Sequence, residues 1–135
     1  MNPEGLEEFD IIVVQGIRYR VKKELEIRDH LFAILLSEWE EEEFNREYPE
    51  MDRWNWKVET LKVRDIKLWK PLMEDPAFIS ELEKRVEAQK NMILRGETVE
   101  PIVVRGRDMI IYDGYARLHA LKQLGKREAL AYVGR

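Results

Sequence analysis

Apolar residues alternate with charged ones over Ile17, Tyr19 and Val21, with Arg18, Arg20 and Lys22 between them. That period of two predicts a strand with one buried face. The β-branched run Phe9 to Val14 precedes it across Gln15-Gly16, so the two predict an amino-terminal hairpin. Leu31, Phe32, Leu35, Leu36 and Trp39 then recur at helical spacing. With Asp29 as cap and Tyr48-Pro49 as terminator, they predict one helix from about Asp29 to Arg46. Val58 to Ile66 reads as strand, closed by Lys70-Pro71. Asp75-Pro76 supplies a cap and a first-turn proline for the clearest helix in the chain. Its apolar stripe, Ile79, Leu82, Val86 and Ile93, runs on to Gly96, with Glu81 and Arg85 spaced as an i,i+4 pair.

Two short β-rich runs follow, Pro101 to Arg105 and Met109 to Tyr112, joined by Gly106-Arg107-Asp108. Tyr115 to Leu124 returns to helical spacing and stops at Gly125, and Ala129 to Val133 is a final strand. The carboxy-terminal order is strand, helix, two strands, helix, strand. Residues 1–59 read as an extension of hairpin and acidic helix, and residues 60–135 as an α+β (α/β) domain.

Composition narrows the function. At 135 residues with 44% hydrophobic content the chain can bury a core, and it has no cysteine for a disulfide, a thiolate nucleophile or a thiolate metal site. No signal peptide is evident, and no apolar run approaches the roughly 18 residues of a membrane span. A cytoplasmic protein without membrane contact is expected. The 37% charged content also suits a thermophile with surface ion pairs. A net charge of −4 argues against coating nucleic acid, which needs lysine and arginine to replace counterions. Weak or no direct DNA binding by the isolated chain follows. Charge is uneven, however, because residues 101–135 hold seven Lys/Arg against three acids. An anion is better received there.

Asp113-Gly114 stands between a strand and a helix, and Arg117 falls in the first helical turn. Free N–H groups at a helix start attract anions, glycine allows close approach, and arginine adds a planar fork for phosphate. The plainer reading has Asp113 as helix cap, Gly114 as turn and Arg117 as a solvated charge. His119 and Lys70 are additional candidates near the turn. Trp54 and Trp56 read as packing before base stacking, and the run Glu40 to Glu43 as a solvated helix face. Asp108 and Asp113 lack the supporting ligands of a metal pair, so no metal site is assigned.

Three segments in order, Pro101-Ile102-Val103-Val104, Ile110 to Arg117, and Leu118 to Gly125, resemble the ParB/sulfiredoxin superfamily over residues 60–133. The resemblance implies a small mixed sheet flanked by helices. It also implies phosphate or nucleotide binding by the turn Asp113, Gly114, Tyr115, Ala116 and Arg117. Gly114 and Arg117 match the family's Gly-x-x-Arg. Sulfiredoxin chemistry is excluded because the nucleophilic cysteine is missing. Tyr115 and Ala116 replace the histidines of the related free serine kinases, and Lys70 aligns near their catalytic glutamate, so catalysis stays open. If the protein is an enzyme, a phosphotransferase using ATP or ADP with Mg²⁺ is favoured over a nuclease. A DNA-associated ParB-like role is the other alternative, although the chain ends before the DNA-reading domain of partition proteins. Self-association through residues 1–59 is a further expectation.

Overall fold

A computed structural model describes residues 9–135. The architecture is α+β: a mixed four-stranded sheet with flanking helices, and a separate two-stranded hairpin. The hairpin pairs β1 (Asp10–Val14) with β2 (Ile17–Val21). Its turn places Gln15 and Gly16 at positive φ, 49° and 81°, the geometry of a tight two-residue hairpin turn. The Gln15 side chain accepts from the N–H groups of Arg127 and Glu128, at 2.8 and 3.0 Å, and so ties the hairpin tip to the last strand.

Beyond the hairpin come α1 (Glu24–Glu38) and α2 (Glu41–Met51). The single helix expected from Asp29 to Arg46 is therefore incorrect, as is the cap at Asp29. The break has a cause outside the local pattern. Trp39 is extended (φ −92°, ψ 156°), its indole N–H donates to the Tyr112 carbonyl at 3.3 Å, and its ring meets Tyr112 edge-on at 5.0 Å. Docking that tryptophan on the sheet interrupts the helix at Trp39 and Glu40 and turns the chain. Pro49 does not terminate the helix either. It lies exposed in the last turn of α2, where water can take the carbonyl that its missing N–H leaves.

The sheet runs β3-β6-β4-β5, with β3 (Trp56–Lys62), β4 (Ile102–Arg105), β5 (Ile110–Asp113) and β6 (Glu128–Gly134). β4 and β6 are parallel and the other pairs antiparallel. The strand expected to continue to Ile66 stops at Lys62 and becomes a 3₁₀ turn, and Lys70-Pro71 opens a short α3 (Lys70–Met73) instead of closing a strand. α4 (Pro76–Leu94) and α5 (Tyr115–Gln123) pack together through Leu82, Val86 and Ala120. Side chains of hairpin, α1, α2, sheet and α5 share one core, with Tyr19, Leu31, Leu35, Met51, Leu118 and Tyr132 each at most 1% exposed. Most of the apolar surface of the hairpin, α1 and α2 is thus packed on the rest, although Ile11, Val13, Leu25 and Leu36 stay exposed. Residues 1–8 lie outside the described part. Trp54 and Trp56 pack as expected, Trp56 buried and Trp54 stacked on Tyr112. Among the described residues no helix is long and apolar enough to cross a membrane.

A polar pin joins hairpin and sheet just ahead of β4. Glu100 accepts from Arg20 Nε at 3.2 Å and lies 3.4 Å from His30 Nε2. Burial works to raise the Glu100 carboxyl, yet His30 and Arg20 together hold it below the usual carboxylate range. A depressed folded value means this stability is present above the unfolded pKa and is lost as pH falls through the folded one. Glu100→Gln should cost about 1–2 kcal/mol at neutral pH, an effect that shrinks on acidification. Urea midpoints from pH 7 down to pH 3 measure it.

Candidate functional site

β5 runs straight into α5 with a single residue between them. Such a reversal needs a left-handed backbone, and Gly114 supplies it at φ 100° and ψ 26°. Space demands glycine as well: a Cβ there would lie 2.7 Å from Ile102 Cγ2 and 3.1 Å from Arg117 Nη2. The turn is thus pressed on β4, and its first-turn amides, Tyr115 to Arg117, face outward without an intrahelical acceptor.

Gly114, not Asp113, occupies the N-cap position, and no side chain caps α5. The expectation of an Asp113 cap is corrected: Asp113 closes β5 as an extended residue, and its carboxylate lies 3.9 Å from Arg117 Nη2. α4 makes the contrast. Its Asp75 side chain accepts from the N–H groups of Ala77 and Phe78, at 3.0 and 3.4 Å, so that helix start is already satisfied. Both helix starts border one cleft of about 870 Å³, and of these two only that of α5 lacks a side-chain cap; the starts of α2 and α3, at Glu40 and Trp69, also border it uncapped.

Arg117 departs from expectation. Its side chain is 12% exposed, against the solvated charge of the plainer reading. Nη2 donates to the Pro101 carbonyl at 3.2 Å, and Nε is buried with no partner. Burial lowers the pKa of the guanidinium, against Asp113 and Glu100, which raise it, but arginine stays charged in such settings. Asp113 is pushed up by burial, pulled back by Arg117 and pushed up again by Glu38. The pair is loose at 3.9 Å. It leaves the guanidinium with donor capacity aimed at nothing in the protein.

The rest of the cleft is firmly built. Tyr112 donates to Glu47 at 2.8 Å, and Arg105 grips Asp108 through Nε and Nη2 at 2.9 and 2.8 Å while Nη1 reaches Glu47 at 3.3 Å. Phe78 meets Tyr115 edge-on at 5.4 Å, and burial pushes the Tyr115 phenol up to about 12, so it is neutral at ordinary pH. Trp39 and Trp69 add aromatic surface. Seven carboxylates and four guanidiniums line the space, an acidic excess that an incoming anion must overcome. Among the described residues no group of three or more acids or histidines is placed to hold a metal ion.

The structure brings Asp113, Gly114, Tyr115, Ala116 and Arg117 together on this cleft and leaves Lys70 and His119 off its lining. Lys70 is exposed on α3. His119 buries an unpartnered Nε2, and burial, helped by Lys122, lowers its pKa. Sequence reasoning missed Trp69, Arg85, Gln89 and the Glu47, Arg105 and Tyr112 network. Only Arg85 and Gln89 left a trace in the sequence, one stripe over from Leu82 and Val86 on α4.

No protein-family model and no curated protein matches the chain. Among solved structures it is similar to a Pnob8-like ParB-N domain, at 16% identity and a TM-score of 0.46, over 61% of this chain and 31% of that one. A second similar structure, a pNOB8-like ParB N-domain, is 27% identical with a TM-score of 0.38, over 60% of this chain and 29% of the other. The chain spans less than a third of the length of either.

Proposed function

We propose that the protein binds a nucleotide or another phosphate-bearing ligand in this cleft, with a phosphate seated on the first turn of α5 and on Arg117. One observation carries the reading: the uncapped start of α5 stands beside a buried guanidinium whose Nε has no partner. Helix dipole and free amides favour an anion there, and burial from water strengthens the contact. The resemblance of Gly114 and Arg117 to Gly-x-x-Arg supports the same ligand class. Because the lining is acidic, Mg²⁺ enters with the phosphates, held by their oxygens rather than by a protein cage. The aromatic surface of Trp39 and Trp69 suits a base or another flat ring.

Thermal unfolding of the full chain with ATP, ADP and pyrophosphate, with and without Mg²⁺, tests this against adenosine as the phosphate-free control. A ligand that binds only the native state stabilises it by about 2.7 kcal/mol at a hundred times its Kd. The phosphate-bearing probes should raise Tm in a concentration-dependent way and adenosine at equal concentration should not. Equal shifts with adenosine, or none with any probe, would overturn the reading.

A further inference from the structure

β1 leaves one edge of the hairpin open. In a hairpin with a two-residue turn, the residues flanking the turn exchange both backbone hydrogen bonds, and bonded and unbonded pairs alternate from there. Val14 therefore bonds to Ile17 and Ile12 to Tyr19, while the N–H and C=O groups of Ile11 and Val13 point away from β2. The same alternation turns Arg18 and Arg20 away from β1, and their groups are taken. Val99 donates to the Arg18 carbonyl at 2.9 Å and accepts from the Arg20 N–H at 3.0 Å. Among the described residues no backbone group does this for Ile11 or Val13.

Their side chains are open as well, Ile11 at 46% and Val13 at 60% exposed. Edge strands are ordinarily guarded by lysine, proline or a bulge. β1 has none of these: it reads Asp-Ile-Ile-Val-Val, and its register with β2 is unbroken. Unpaired backbone beside exposed β-branched side chains is a template for one more strand.

Charge selects the occupant and its direction. Asp10, exposed, opens β1, and Glu7 and Glu8 precede it in the sequence. At the turn end Lys126 Nζ donates to the Gln15 carbonyl at 3.0 Å, the Arg127 N–H donates to the Gln15 side chain at 2.8 Å, and exposed Arg18 follows the turn. β1 thus runs from an acidic end to a basic one. A second β1 laid antiparallel sets each acidic end beside the basic turn of the other, whereas a parallel copy sets like beside like. One antiparallel register uses all the open groups within β1: it has a twofold axis at Ile12 and Ile11 opposite Val13 of the second copy. Any other register that respects the pleat sets one of these two against a residue outside β1.

We propose that β1 is a self-association edge, and that two copies of this chain join their hairpins antiparallel through it into one continuous sheet. Each Ile11–Val13 pair exchanges both backbone hydrogen bonds, and the exposed side chains come to lie side by side on the outer face. The assembly closes at two copies because the far edge of each β2 is already held by Val99. A five-residue strand is about 17 Å long and buries far less than the ~1,600 Å² of a standard interface, so the dimer is weak and forms at high concentration.

Sedimentation equilibrium of the full chain from about 10 µM to about 1 mM tests this in wild type, Val13→Lys and Leu25→Lys. Wild type should pass reversibly from monomer to dimer over that range. Val13→Lys sets an ammonium into the joint from each copy and should weaken the dimer at least about tenfold. Leu25→Lys replaces an apolar side chain that is 97% exposed on α1, and should match wild type. A urea midpoint close to that of wild type shows Val13→Lys to be folded. Amide hydrogen exchange of wild type reads the edge itself: the Ile11 and Val13 N–H groups should exchange slowly at about 1 mM and fast at about 10 µM. Wild type that stays monomeric throughout, or that assembles beyond the dimer, overturns the proposal. So does a dimer weakened no more by Val13→Lys than by Leu25→Lys, or one in which both amides exchange alike at the two concentrations.

Discussion

Gly114→Ala should lower the free energy of unfolding by about 2–4 kcal/mol, from left-handed backbone strain and steric overpacking together. The first component is present at any positive-φ glycine. Gly125, at φ 72°, isolates it, since a Cβ there would meet nothing within 4 Å. Gly125→Ala should therefore cost about 1–2 kcal/mol. At Gly114 the new Cβ also meets Ile102 Cγ2 at 2.7 Å, and Ile102 is fully buried in the central part of the sheet. It has little room to move, so either β4 or the start of α5 must shift. The α5 amides would shift with it, and anion binding should weaken alongside stability. Urea unfolding of both variants compares them directly, with a fall in midpoint at constant m as the expected signature. If Gly114→Ala costs no more than Gly125→Ala, the turn is not pressed on β4 as described.

The difference between these two glycines also shows what the sequence could reveal. Gly106, Gly114 and Gly125 punctuate the chain at the joints of β4, β5, α5 and β6, and each of those elements falls within about two residues of its expected place. α4 is legible for the same reason, with Asp75-Pro76 at its start. What escaped depends on partners distant in sequence. Trp39 fits the apolar stripe of a helix, and only the Tyr112 carbonyl, 73 residues away, explains why the helix breaks there. Arg117 reads as a solvated charge until the Pro101 carbonyl and the hairpin close over it. Arg85 reads as half of an ion pair with Glu81, which instead faces Lys84 at 3.9 Å, because spacing alone cannot tell which carboxylate chooses which cation. Local pattern located the turn. Its burial, and with it the strength of any contact made there, came from tertiary packing.

Burial also makes Arg117 the position where stability and binding should separate most clearly. Arg117→Met keeps much of the side-chain volume and removes the guanidinium, so anion affinity should fall by about ten- to a hundredfold, the worth of one charge-assisted contact. Stability should fall too, by about 3 kcal/mol at neutral pH, because Asp113 is left as a buried carboxylate with no counter-charge. Its folded pKa, already raised by burial and by Glu38, would rise further without Arg117. A raised folded value means that the native state holds the proton more tightly than the unfolded chain does. The penalty is therefore absent below the unfolded carboxylate range and grows as pH climbs through the folded value. Adding Asp113→Asn removes the stranded charge. The double variant should recover most of the stability lost at pH 7, since replacing both members of a buried pair is often neutral or stabilising. It should still not bind pyrophosphate at wild-type affinity. Denaturant titrations at pH 4 and pH 7, run beside calorimetry with pyrophosphate, read both quantities on the same proteins. A double variant no more stable at pH 7 than Arg117→Met would mean that Asp113 is not what Arg117 compensates. A double variant that binds pyrophosphate as well as wild type would remove Arg117 from the site.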